Sequence, residues 1–378
     1  MALSNRRASR IVVATMPAAS DKKFLHALLL TGAEYDAVEK VVRAFASFQD
    51  AWRASAEALR ASGLGDERVS AMVTGREGLN PDEEMRKLVS QGIALVIAGD
   101  LEFPAELGEI AAPPHALYIK GRVEQGKPRL AVVGTRKPTE YGRQATQKII
   151  RELAEAAEIA IVSGLAQGID AEAHKAALAQ NLTTIGILGS GMDRESFFPY
   201  ENWQLSEEIM KKGGAIISEY PPGTPALQHH FPARNRIIAG LCLGVLVVEA
   251  PEKSGALITA RFALEQGRDV FAIPSQMFSP NAIGTHRLIQ DGAKLVTRAD
   301  DIIDELNLAR RTKQEKAAAV LTDETEKTIL ELLAEPSSVD DIKERTQLAT
   351  PAIVTCLSML ELKGFIRPMG QNRFQRIA

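Results

Sequence analysis

Two arginines, Arg234 and Arg236, stand with Asn235 in the stretch SEYPPGTPALQHHFPARNRII, residues 218–238. Guanidinium forks grip phosphate or carboxylate oxygens, so two of them in one short segment point to an anionic ligand or to carboxylates elsewhere in the fold. Pro221, Pro222, Gly223 and Pro225 exclude helix and central strand and make the first part a loop. Pro232 is then expected to open a short helix with both arginines in its first turn. Cations there oppose the helix dipole, a cost that an anion sharing the helix N-terminus would offset.

The segments around this stretch say what positions it. From Leu130 onward, LAVVG, IAIVSG, TTIGILG, AIISEY, GVLVVEA, DVFAIP and AKLV alternate with helical segments. Short continuous apolar runs separated by helices indicate a doubly wound, Rossmann-like parallel sheet of the α/β class, with ligands outside the carboxyl ends of the strands. Those ends carry Gly134, Thr135, Arg136 and Lys137, then Ser163, Gly164 and Gly168, then Gly189 and Gly191, and finally Lys253, Ser254 and Gly255. Glycines allow close backbone approach, hydroxyls donate, and helix N-termini offer free N–H groups, which together suit a phosphate-rich ligand. Phe197, Phe198, Tyr200 and Phe231 fall beside the same edge and offer rings on which bases of a single strand could stack, though at least one of them is expected in the core.

Several chemistries are not supported. No GxxxxGK[ST] occurs, and GILGSG is followed some twenty residues on by MKKGG, which has no acid for a ribose. Glu249 and Asp170 are the carboxylates that could act as general acid or base, with Asp170 read first as a dipole-favoured carboxylate at a helix start. His174 is a lone histidine, and His229 and His230 lack metal-ligand spacing, so neither a nucleophile–base pair nor a metal set is legible. Cys242 and Cys356 stand alone, which argues against a disulfide framework and a zinc site. No cofactor is expected.

The 378 residues leave room for two or three domains, and 45% hydrophobic with 25% charged residues is an ordinary globular composition. No apolar run nears the ~18 residues of a membrane span, and the early IVVA is too short for a signal-peptide core, so the cytoplasm is the expected compartment. A net charge of −3 argues against indiscriminate coating of nucleic acid, yet Lys127–Arg151 holds seven basic residues against Glu140 alone. The expected layout is a basic arm and small α-helical domain resembling SAM or helix-hairpin-helix modules (1–102), then the Rossmann-like domain with its leading connector (103–308). A charged linker (309–320) and a winged-helix-like domain (321–378) follow. In the first part, residues 35–52 read as one helix with Val38, Val41, Val42, Phe45, Phe48 and Trp52 on its apolar face. The SGLG turn at 62–65 reads as a helix C-cap, or as a hairpin offering N–H groups to a DNA phosphate. The tail carries Lys363, Arg367, Arg373 and Arg376 with no acid.

In order and spacing, VVGTRKPTEYG, SGLAQGIDAEAH, GSGMDRESFFPYEN, FPARNRIIAGL and SGALITARFALEQGRDVFAIP resemble the DNA-processing protein A family, also called DprA or Smf. The resemblance is dense from Phe103 to Val296. It implies a non-catalytic single-stranded DNA binder that dimerises through its Rossmann-like domain and helps load the RecA recombinase during natural transformation. It also implies a glycine-rich pocket of Gly134, Thr135, Arg136, Ser163, Gly164 and Gly168, extended by Gly189, Gly191, Arg234, Asn235 and Arg236. Phe198 stands where the family commonly has Tyr, keeping a ring and losing a hydroxyl; Ser275 and His286 depart from the family's Gly and Asn. Two other functions fit the sequence less well. One is a nucleotide-processing enzyme of the phosphoribohydrolase kind, whose PGGxGTxxE motif is missing; the other is a ligand-sensing transcription regulator acting through the winged helix.

Overall fold

The computed structural model describes residues 21–311, 324–362, 365–370 and 372–377. The expected basic arm at 1–20, linker residues 312–320 and Lys363 lie outside them. The chain forms two compact units: one runs to Asn307, and Glu155–Glu158 group with the second, which begins at Leu308.

The first unit opens with α1 (Lys22–Leu30), α2 (Tyr35–Ala44), α3 (Phe48–Arg53), α4 (Ala56–Ala61), α5 (Asp66–Gly78) and α6 (Pro81–Ser90). The single helix expected over 35–52 is broken between Ala44 and Phe48. Phe45 turns extended, the Ser47 hydroxyl accepts the Asp50 N–H, and the Asp21 carboxylate accepts the N–H groups of Phe48 and Gln49 at 2.9 and 2.8 Å. Caps of this kind contribute about 1 kcal/mol each and here favour a fresh start over a continuous helix. In the SGLG turn, Gly63 adopts φ +88° and donates to the Arg60 carbonyl, as a helix C-cap does. Asp66 and Glu67 then open α5, an acidic first turn that disfavours a phosphate there.

β1 (Ala94–Ile97), α7 (Ala105–Gly108) and β2 (Ala116–Gly121) lead into the alternating part. That part comprises β3 (Arg129–Val133), α8 (Glu140–Ala156), β4 (Ala160–Ser163), α9 (Ile169–Ala179), β5 (Thr184–Leu188), α10 (Trp203–Lys211) and β6 (Ala215–Ser218). It continues through α11 (His230–Gly240), β7 (Gly244–Val247), α12 (Gly255–Glu265), β8 (Asp269–Ala272), α13 (Ile283–Gln290), β9 (Lys294–Leu295) and α14 (Asp300–Glu305). The sheet order is β1-β2-β6-β5-β4-β3-β7-β8-β9, with β3 to β9 parallel and β2 and β1 added antiparallel beyond β6. β1 was not expected from the sequence, where its four residues follow directly on a helix. β3, β4 and β5 are buried along their whole length, as helices on both faces require. Leu25, Leu28 and Met72 share one core with Leu165, Leu188, Ile209 and Ile216, so the helical segment packs on one face of the sheet. His26 Nδ1 meets the Tyr118 hydroxyl at 2.8 Å across that contact.

The second unit holds α15 (Glu324–Leu332), β10 (Ser337–Ser338), α16 (Val339–Thr346), α17 (Thr350–Leu362), β11 (Ile366–Gly370) and β12 (Arg373–Arg376). Helices around Ile329, Leu333, Ile342, Ile353, Leu357 and Leu360, with a sheet ordered β10-β12-β11, make a winged helix. Ser338 and Asp341 form a capping box at the start of α16. The α17 sequence contains no Lys or Arg, and its exposed face carries Val354 and Met359; Arg367, Arg373 and Arg376 are exposed on the wing.

Candidate nucleic-acid interface

Every parallel strand of the sheet ends on the same edge, so the loops after β3, β4, β5, β6 and β7 converge there. After β3, the Thr135 N–H donates to the Glu249 carbonyl at 2.7 Å and the Thr135 carbonyl accepts the Ile169 N–H. This leaves Arg136 and Lys137 projecting into solvent from a fixed backbone. Gly134 lies against Ile169 and the Glu249 carbonyl, a gap that admits no side chain. Gly168 has φ +82°, and a Cβ there would collide with the Thr135 carbonyl, so the loop entering α9 requires glycine.

The Arg136 guanidinium sits over the Phe231 ring, 5.6 Å from its centroid, and the Phe198 ring lies 5.6 Å from Phe231. Phe198 is 46% exposed. With Gly164, Ala166, Gln167, Pro199 and Arg234 these residues line a concavity of about 40 Å³. A site that encloses a small molecule usually offers ~300–1,000 Å³. The geometry is that of an open platform that presents rings beside a cation. Phe197, in contrast, is buried against Trp203, and the exposed Tyr200 accepts from Arg194.

The helix carrying the two arginines starts earlier than its proline implies. α11 begins at His230, so Pro232 is its third residue and Arg234 and Arg236 lie in the second turn. Proline is tolerated there because the first N–H groups of a helix have no intrahelical partner. Arg234 is 4% exposed and donates to the carbonyls of Gly164 and Ile187, and through Nε to Asn235 Oδ1. Burial lowers its pKa to about 10, with the Asp170 carboxylate opposing the shift, and it remains a cation at neutral pH. Arg236 leaves the strand-end site altogether: Nη2 meets Glu219 Oε1 at 2.6 Å and the guanidinium lies over the Tyr35 ring. Carboxylate pairing, the alternative reading of these arginines, holds for Arg236.

Other expected contacts are also committed within the fold. The Ser163 hydroxyl is fully buried and donates to the Val132 carbonyl at 2.6 Å. The Gly191 N–H donates to Thr224, Gly189 packs beneath Phe231, and Asn235 Nδ2 reaches the Gly255 carbonyl. Ser254 caps α12 at the Ala256 N–H, while Lys253 and Gly255 are exposed. Both Glu249 oxygens accept from Thr139, at 2.9 Å from N–H and 2.6 Å from Oγ1, so this carboxylate anchors the start of α8 rather than waiting for a substrate proton. Asp170 accepts the Gly164 N–H; burial raises its pKa, against the pull of Arg234. His174 is buried against Thr184 and held neutral, its pKa pushed down to about 3 by desolvation.

The basic run Lys127–Arg151 does not form one patch. Arg129 is buried and pairs with Glu106, Lys127 pairs with Glu124, and Lys148 pairs with Glu152. Sequence reasoning missed Gln167, exposed on the rim, and Asn202, whose Nδ2 donates to the carbonyls of Leu165 and Ala166. Leu165 is buried with φ +52°, a conformation that costs a β-carbon residue some strain and that Asn202 helps to hold. An Asn after FFPYE carries no sequence signal for that role.

Among the described residues, no helix is long and apolar enough to cross a membrane. The DNA recombination-mediator protein A family model matches residues 94–307, and the DprA winged helix domain matches residues 313–372. Protein Smf of Synechocystis is 35% identical over 379 residues, spanning 90% of this chain and 94% of that protein. The X-ray structure of DNA processing protein A from Streptococcus pneumoniae superposes with a TM-score of 0.64 at 35% identity, over 77% of this chain and 99% of that one. A structure of DNA processing protein A from Helicobacter pylori, which concerns its single-stranded DNA binding mode, gives a TM-score of 0.50 at 30% identity, over 56% and 95%. The α/β unit, its helical segment and the winged helix together fit this match, and the chain belongs to the DNA recombination-mediator protein A (DprA/Smf) family.

Proposed function

We propose that this chain binds single-stranded DNA along the carboxyl edge of its parallel strands and acts there without turnover, protecting the strand and helping to load RecA in recombination and natural transformation. One observation carries the reading: the exposed Arg136 lies over Phe231 beside the exposed Phe198, joining a phosphate-seeking cation to base-stacking rings. Lys137, Lys253 and the N-terminus of α12 continue the same edge and would follow a sugar–phosphate backbone. The family membership and the single-stranded binding mode of the Helicobacter relative support the ligand. RecA as partner and a homodimer rest on the family resemblance; exposed Met277 and Phe278, after β8, offer apolar surface to a second copy.

Binding of a labelled oligothymidine, compared with duplex of equal length across a salt series, tests the proposal. The expected result is a single-strand preference with affinity that falls as salt rises. Equal or tighter binding of duplex overturns it.

A further inference from the structure

Glu34, just before α2, and His229 and His230, at the start of α11, are brought together from 195 residues apart. His229 Nε2 lies 3.4 Å and His230 Nε2 3.8 Å from Glu34 Oε1, and the three ligand atoms fall within 4.8 Å of one another. Donors held at about 2.0–2.2 Å in a tetrahedral shell stand roughly 3.3–3.6 Å apart. The two histidine-to-carboxylate separations lie close to that value. No metal set was legible in the sequence, because the carboxylate comes from another part of the chain.

An ion pair between Glu34 and the exposed His229 would account for part of this geometry but not for His230. That residue is 1% exposed, and among the described residues its ring nitrogens make no hydrogen bond of ordinary geometry, Nε2 lying 3.8 Å from Glu34 Oε1. Leaving a buried imidazole unpaired is costly. The Tyr220 ring stacks on it with centroids 3.8 Å apart, and the His229 ring meets it edge-on at 4.6 Å, so the imidazole is held in orientation.

We propose that Glu34, His229 and His230 bind a divalent transition-metal ion of the zinc class, with a fourth position left to water. Two imidazoles and one carboxylate are donors that zinc accepts, whereas magnesium and calcium prefer all-oxygen shells. Glu34 and His229 also border a cavity of about 490 Å³ between the helical segment and α11. Because Phe231 and Arg234 follow on the same helix, the ion would tie the start of α11 to α2 beside the strand-end platform.

Tag-free, full-length protein stripped with chelator and titrated calorimetrically with zinc chloride tests this, with cobalt(II) as a spectroscopic probe. The expected results are one ion per chain, a four-coordinate cobalt absorption, and a rise in Tm on zinc that chelator reverses. Glu34→Gln and His229→Ala alter exposed side chains, and their unchanged metal-free Tm confirms folding. Each should weaken zinc binding by at least about 100-fold, since changes outside the ligand set alone cost roughly 10–100-fold. Wild-type binding no tighter than that of the Glu34→Gln/His229→Ala double variant overturns the proposal, as does a cobalt spectrum of the free aqua ion.

Discussion

Arg234 and Arg236 lie two positions apart on α11, yet their guanidinium groups end on opposite sides of it. Arg234 donates to the carbonyls of Gly164 and Ile187 at the strand ends, whereas Arg236 pairs with Glu219 beneath Tyr35. A helix turns about 100° per residue, so positions i and i+2 diverge by about 200° and cannot serve one site. Arg234 shapes the floor of the platform, and Arg236 fastens the end of β6 to α11.

Replacing Arg236 by Ala should therefore act on stability and not on the charge of the strand-end edge proposed to bind DNA. The pair is largely buried, and removing one partner leaves Glu219 without its cation, at a cost of about 3 kcal/mol. Denaturant unfolding should show that loss, while the salt dependence of single-strand binding stays that of the wild type. A stable variant with a reduced salt slope would place Arg236 at the phosphates instead.

Phe198 tests the stacking part of the account. Its exposed ring contributes little to the core, so Phe198→Ala should leave stability within about 0.5 kcal/mol of wild type. Affinity for oligothymidine should fall by about 1–3 kcal/mol, the usual worth of one stacked base. Phe198→Tyr, which keeps the ring, should bind as the wild type does. Equal binding by the alanine variant, measured by anisotropy, would remove the ring from the site.

Two buried histidines predict how stability depends on pH. Burial lowers His26 to about 4 and His174 to about 3, both below the value of about 6.5 expected in the unfolded chain. Each group takes up its proton more readily when unfolded, so the stability gained by keeping it neutral is complete above pH ~6.5. It is lost as the pH falls towards the folded values, at up to about 1.4 kcal/mol per pH unit for each group. Asp170 and Glu219, raised by burial, act in the opposite sense, so the informative quantity is a difference. Between pH 6.5 and 5, His26→Gln should lose stability less steeply than the wild type in denaturant titrations. Identical slopes would contradict the burial argument.

The platform was partly legible before the fold was known. Continuous apolar runs fixed the parallel strands, and a chain that ends seven parallel strands on one edge must bring Arg136, Gly164 and Phe198 near each other. What escaped depended on partners remote in sequence. The break before Phe48 comes from Asp21, the hydroxyl of Ser163 is consumed by Val132, and the role of Glu249 is set by Thr139. α11 starts two residues before the point its proline suggests, because Pro232 is the third helical residue and not the first. The divergence of Arg234 and Arg236 follows from their spacing alone, since positions i and i+2 of a helix face apart.

The salt dependence of oligothymidine binding by Arg136→Ala, run beside the wild type, tests the central claim most directly. Arg136 is exposed, makes its contact with Phe231 from the surface, and should be removable without changing Tm. Losing one phosphate contact should weaken binding at low salt and reduce the slope of log K against log salt by about 0.7. An unchanged affinity and slope in a folded variant would contradict the account and place the nucleic-acid site away from the carboxyl edge of the sheet.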